Sequence, residues 1–308
     1  MSEHALQGVL VPLTTPFDPE TGDVAPVALR QLARELLGRG LAGVVVAGTT
    51  GEGPMLDEDE KVQLVEWLRE VVPEDRWLIA GTGGESTRAT VRLSERAAAA
   101  GADAVLVRPP AYFGPVLAPS ALADHFLRVA DRSPVPVILY NMPKYTHVML
   151  HDSLLRAVAD HPQVIGFKDS SGDLKVLANY RAAAPRLKAL VGAGSLFYPA
   201  LELGADGGVL AVACFAPDRC QSLYLAFRAD DRRSAGAEQE RLTPLAREIV
   251  GDLGVPGIKV AMDLVGLPGG PVRAPLAPLD ARQRNRVAQL VAAAGLKQAA
   301  PAEPAAAR

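Results

Sequence analysis

Cysteine is scarce: two residues in 308, which excludes a disulfide-dense secreted scaffold and a Cys-rich zinc module. No charge of one sign dominates. Lys plus Arg is 32, Asp plus Glu is 35 and the net charge is −3, so there is no broad electrostatic footprint for nucleic acid or an anionic membrane. No long hydrophobic run is present either. The longest, residues 207–216, is about half the ~20 residues needed to span a bilayer. The N-terminus has no basic cluster leading into an apolar core, so no signal peptide is expected. The five histidines, at positions 4, 125, 147, 151 and 161, show no metal-ligand spacing. A soluble cytoplasmic protein without a metal is the expectation.

What is present is a rhythm. Apolar residues make up 49% of the chain, enough for a large core. Short runs rich in Val, Ile and Leu recur at 8–13, 43–47, 77–80, 104–107, 135–140, 164–168, 188–191 and 207–212. Both alternating faces of each run are mostly apolar, as in a strand buried on both sides. Their starts lie about 28 residues apart, the length of one strand–helix unit. Helical patterns fill the gaps. Asp57 offers an N-cap with Glu60 three residues on, and residues 86–100 and 119–130 read as helices.

Eight such units fit a parallel (β/α)8 barrel of the TIM type better than an open doubly wound sheet. The first strand runs into Pro12-Leu13-Thr14-Thr15-Pro16-Phe17, not into the Gly-rich fingerprint of a dinucleotide-binding sheet. Residues 1–220 are assigned to the barrel. Residues 221–297 read as a helical extension, with helices at 221–228, 239–250, 257–264 and 281–294. The Ala/Pro-rich tail 298–308 reads as disordered.

Barrels carry their active sites at the C-terminal strand ends, and four ends stand out. Strand six closes on Lys168. Burial disfavours the charged form of an amine, and a neutral amine attacks a ketone to form a Schiff base; the alternative is a Lys paired with Asp169 or a neighbouring acid at the strand exit. Strand five ends in Tyr140-Asn141-Met142-Pro143, where a phenol beside Lys168 shuttles protons or merely caps the core. Strand two leads into Gly48-Thr49-Thr50-Gly51-Glu52, either a nest for a small carboxylate or a plain turn. Strand four presents Tyr112 on the Pro-rich loop from Arg108 to Gly114. After strand seven, Gly192-Ala193-Gly194-Ser195 reads as an anion cradle or an ordinary turn. Cys214 and Cys220 look like core thiols.

Gly48-Thr49-Thr50-Gly51-Glu52, Tyr140-Asn141-Met142-Pro143 and Lys168, in that order and spacing, resemble the dihydrodipicolinate synthase and N-acetylneuraminate lyase family, from about Gly8 to Arg286 and including Gly269-Gly270-Pro271-Val272-Arg273. The resemblance implies a cofactor-free class I aldolase that holds pyruvate as a Schiff base, and a homotetramer built from tight dimers. It implies Lys168 as the Schiff-base lysine and Tyr140, Thr49 and Tyr112 as a proton relay, with Tyr112 reaching across the dimer. Thr50 is then the carboxylate-binding threonine, and Val209 lines the pyruvate site; Gly192 is added as a substrate-binding position. Tyr145 stands where dihydrodipicolinate synthases have an Arg that grips aspartate semialdehyde, and a phenol cannot replace a guanidinium. Lys144 is adjacent, with its side chain expected to point elsewhere.

Residues 83–87, 129–137 and 168–173 are similar to 4-hydroxy-2-oxoglutarate aldolases. The expectation is therefore cleavage of 4-hydroxy-2-oxoglutarate to pyruvate and glyoxylate. The alternatives are 4-hydroxy-tetrahydrodipicolinate synthesis, a 2-keto-3-deoxy sugar-acid aldolase or dehydratase, and a non-catalytic 2-oxo acid binding protein.

Overall fold

Eight short strands, each buried on both faces, leave a sheet with no exposed side, and the sheet closes on itself. The computed structural model describes residues 5–299; of the expected tail, residues 300–308 lie outside this range. The strands are β1 (Gly8–Pro12), β2 (Gly43–Val46), β3 (Trp77–Gly81), β4 (Ala104–Val107), β5 (Val137–Asn141), β6 (Val164–Asp169), β7 (Lys188–Val191) and β8 (Gly207–Val209). All pair in parallel in sequence order, and β8 pairs with β1. The result is a (β/α)8 barrel.

Alternation sorts the side chains. Leu10, Val45, Ile79, Leu106, Ile138, Tyr140, Leu190 and Val209 fill the barrel interior, while Val11, Val44, Leu78, Val105, Leu139 and Phe167 face the helices. Gly166 faces inward on β6. A Cβ there would meet the Lys188 carbonyl at 2.7 Å and Leu6 at 3.1 Å, so its bareness admits the Leu6 side chain.

The helices between strands are α1 (Pro26–Leu37), α2 (Glu58–Arg69), α3 (Thr87–Ala99), α4 (Pro119–Arg132), the single turn α5 (Pro143–Thr146), α6 (Asp152–Val158), α7 (Leu174–Ala183) and α8 (Phe197–Glu202). The Asp57 and Glu60 signal is a complete capping box at the start of α2. After β8, α9 (Pro217–Arg228) packs against β1 as the helix of the eighth unit, and beyond it lie α10 (Arg232–Pro244), α11 (Gly254–Leu264) and α12 (Ala281–Ala293).

Three of the boundaries that differ from the sequence expectation have a plain backbone cause. The run 135–140 becomes a strand only from Val137, since the Pro136 carbonyl accepts from Val105 but its nitrogen has no hydrogen to donate. The run 207–212 stops being a strand at Val209. Leu210 N–H still bonds to Leu10 O, and Ala211–Cys214 then coil into a 3-10 turn. The expected helix 239–250 is two pieces: α10 ends at Pro244, and Leu245–Asp252 continue as a wide π-type turn. A proline inside a helix removes a backbone donor, which favours such a change of winding.

Candidate active site

The C-terminal strand ends bring three of the expected residues into direct contact. Tyr140 and Lys168 are register partners on β5 and β6, so alternation turns both side chains inward. Lys168 Nζ lies 4.2 Å from the centre of the Tyr140 ring, and Tyr140 Oη is 3.3 Å from Thr49 Oγ1. Lys168 is 6% exposed. Among the described residues it has no carboxylate partner, which removes the alternative of a pair with Asp169. That carboxylate accepts from Asn141 Nδ2 at 2.7 Å and from Ser171 Oγ at 2.8 Å. Burial raises the Asp169 pKa against the opposing pull of these bonds. Asp169 is therefore a brace between the ends of β5 and β6 rather than a counter-ion.

Two further expected residues border the same interior. Val209 belongs to the cluster that contains Tyr140. Gly192 follows β7, donating its N–H to Asp169 O at 2.7 Å. A Cβ on Gly192 would fall 1.9 Å from Ser170 Oγ and 3.1 Å from Lys168 Cε, so glycine leaves the room in which the Lys168 stem lies. The turn that follows is no open cradle. Gln239 accepts from Tyr198 N–H at 2.7 Å and donates to Gly194 O at 3.0 Å.

The loop after β2 is wound tightly. Ala47 and Glu52, at φ of 52° and 55°, both adopt left-handed backbone, which costs about 1 kcal/mol or more for such residues and concentrates at functional sites. Thr49 points to Tyr140, and Thr50 is buried beside it.

What holds this strained loop was not read from the sequence. Lys259 Nζ, on α11, lies 2.6 Å from Glu52 Oε1, and both side chains are sealed from solvent, at 1% and 0% exposure. The same ammonium donates to Thr15 O and Pro271 O. Glu52 Oε2 accepts the Arg273 N–H at 2.8 Å. The Arg273 guanidinium then grips Glu60 with two bonds of 2.7 Å and reaches Met55 O and Gly22 O. It also covers the Phe17 ring at 4.3 Å. Glu52 and Arg273 stand in the motifs quoted above, but the added signal was Lys259, a lone cation in the apolar stretch Ile258–Met262.

Above Tyr140 and Thr49 opens a cavity of about 650 Å³. The barrel loops supply Arg108, Met142, Lys144 and Tyr145; the extension supplies Gly251–Pro256 and Leu276. The helical extension is thus a wall of the site. Lys144 departs from expectation: it lines this cavity and donates to Gly251 O at 2.5 Å. Arg108 is bound to Glu85 at 2.8 Å, and Glu85 Oε2 also accepts from the Ala111 and Tyr112 N–H groups.

Tyr112 is not brought in. Its side chain is 80% exposed and touches the Phe113 ring edge-on, with no contact to Tyr140 or Lys168 within this chain. Cys214 and Cys220 are buried free thiols, and burial pushes Cys214 up to about 12. Among the described residues no cluster of His, Cys, Asp or Glu is arranged to hold a metal ion, and no helix is long and apolar enough to cross a membrane.

Comparison with known proteins gives a consistent result. Residues 5–294 match the dihydrodipicolinate synthetase family. A 4-hydroxy-tetrahydrodipicolinate synthase of Synechococcus is 34% identical over 287 residues, covering 92% of this chain and 94% of that protein. A second, from Streptomyces coelicolor, is 37% identical over 293 residues, covering 93% and 92%. Among solved structures, YagE of E. coli K12, a prophage protein of the dihydrodipicolinic acid synthase family crystallised with pyruvate, superposes with a TM-score of 0.90 at 28% identity. That match covers 96% of this chain and all of YagE.

Proposed function

The chain belongs to the dihydrodipicolinate synthetase family, a family of carbon–carbon lyases, and we propose that Lys168 carries its chemistry as a Schiff base with pyruvate. The observation that supports this most is a buried lysine with no carboxylate partner among the described residues, set 4.2 Å from a tyrosine ring at the mouth of the barrel. The Lys168 amine attacks the 2-oxo carbon of pyruvate. Loss of water gives an iminium, and loss of a C3 proton gives an enamine. The enamine carbon adds to an aldehyde carbonyl, Tyr140 Oη delivers a proton to the new alkoxide, and hydrolysis frees Lys168. The reverse sequence cleaves the same bond. The Tyr140–Thr49 contact gives the phenol a route to exchange its proton.

In this reading the Thr50 hydroxyl and backbone hold the pyruvate carboxylate, while Val209 and Gly192 shape the space for its methyl group. Tyr112 works from a neighbouring copy. Its exposure, with that of Phe113 and Val116, suits a side chain that completes another chain's site in a tight dimer, two of which make the tetramer. No cofactor is required.

The names of the curated relatives favour aspartate semialdehyde as the acceptor, giving 4-hydroxy-tetrahydrodipicolinate. They support this synthase reading over the cleavage of 4-hydroxy-2-oxoglutarate. Tyr145 in the cavity wall, in place of a guanidinium, keeps glyoxylate as the second acceptor to test.

Intact-mass measurement after borohydride reduction in the presence of pyruvate tests the proposal. One pyruvate-derived adduct mapped to Lys168, absent in Lys168→Ala, is the expected result. A folded protein without an adduct overturns the Schiff-base assignment.

A further inference from the structure

The acceptor end of the site has a charge balance that singles out one residue. Two cations line the cavity above Tyr140, Arg108 and Lys144. Arg108 is committed. Its guanidinium bonds to Glu85 at 2.8 Å and to Pro109 O at 2.9 Å. The carboxylates that line the same cavity are Glu52, Glu85 and Asp252. Glu52 is neutralised by Lys259 and Glu85 by Arg108. Asp252 is exposed and forms no ion pair among the described residues.

Lys144 is different. Its ammonium donates one bond, to Gly251 O at 2.5 Å, and lies 5.4 Å from the centre of the Tyr145 ring. An ammonium has three N–H groups, so two remain for a ligand, and among the described residues no carboxylate is paired with it. The rest of the wall is largely apolar, including Met55, Met142, Leu253, Val255 and Leu276. Lys144 is exposed at the cavity rim, so solvent screens part of its charge, but a charge-assisted bond from it remains stronger than a neutral one.

We infer that Lys144, held by Gly251 O and the Tyr145 ring, reads the carboxylate of the acceptor aldehyde and makes the enzyme selective for aldehydes that carry one. This rests on the pyruvate Schiff-base reading above. Tyr145 then acts as a positioning residue: it carries no charge for the substrate but fixes the cation that does.

The test compares kcat/KM for glyoxylate and aspartate semialdehyde with that for propionaldehyde, an uncharged probe, at saturating pyruvate. In Lys144→Met the preference for the charged aldehydes should fall on the order of ten-fold or more, the range of one charge-assisted hydrogen bond. The change should sit mainly in the aldehyde KM, and Lys144→Arg should restore most of it. A merely structural role would shift charged and uncharged aldehydes alike. An unchanged preference in Lys144→Met, a wild type that favours propionaldehyde, or a wild type that turns over neither charged aldehyde overturns the inference. Borohydride capture of pyruvate, run on the same samples, separates the two levels. No adduct on wild-type Lys168 removes the underlying reading, whereas a normal adduct with an unmoved preference removes Lys144 alone.

Discussion

Lys259 and Glu52 meet at 2.6 Å in the interior between the helical extension and the barrel. Removing one partner of a buried pair strands the other, a loss of about 3–5 kcal/mol. Glu52→Gln and Lys259→Met should each destabilise by that order in urea unfolding. The double variant should lose less than the sum, because no charge is left alone. Additive losses would mean that the two residues act separately. Burial lowers the Lys259 pKa while Glu52 opposes it, so Glu52→Gln should also bring deprotonation of Lys259 to lower pH.

Tyr140→Phe keeps the ring over Lys168 and removes the hydroxyl. Pyruvate capture should persist, and turnover should fall by roughly 10²–10⁴, the usual contribution of acid–base catalysis. Thr49→Val, which removes the 3.3 Å partner of that hydroxyl, should slow turnover by less. A Tyr140→Phe enzyme with unchanged kcat would assign the proton transfer elsewhere.

At Gly192 the expectation is steric. The new Cβ of Gly192→Ala would press on Ser170 Oγ and approach Lys168 Cε. Displacing a reacting lysine by about 1 Å lowers rate on the order of 10²-fold. Adding Ser170→Ala relieves the closer contact. Partial recovery of pyruvate capture in the double variant would identify Ser170 as the obstacle; none would point to the Lys168 stem.

A titration should be visible in stability. His125, on α4, bonds to Thr87 and sits buried; burial, with Arg108 nearby, lowers its pKa to about 4. The unfolded chain has an ordinary His near ~6.5. Between these values the unfolded state binds more protons, so stability rises with pH and is lost as pH falls from about 6.5 to about 4. The slope is at most ~1.4 kcal/mol per pH unit. Chemical denaturation at pH 7 and 5 should show the loss, and His125→Gln should flatten it.

The barrel was legible because the strands are short apolar runs, free of charge before their C-terminal ends except for Lys188 at the start of β7, and Lys168, Tyr140 and Thr49 are the polar residues at those ends. Where apolar character alone had to separate a strand from a buried turn, as at Leu210–Val212, it failed. Backbone bonding decides there, not side-chain polarity. The support of the β2 loop was illegible for another reason. Glu52 lies far in the chain from both Lys259 and Arg273, and nothing local to Glu52 names its partners. Likewise the expectation that Lys144 points elsewhere could not include its bond to Gly251 O, 107 residues on in the chain.

The Arg273 clasp also sets an order in time. The hydrogen-bonded ring of strands is complete in the chain at Val209, but the Thr49–Glu52 loop lacks its clasp until Arg273 emerges, 273 − 209 = 64 residues later. At roughly 5–20 residues per second of synthesis, that interval is about 3–13 s. During those seconds all eight strands have been synthesised while the residue that clasps the Thr49–Glu52 loop has not.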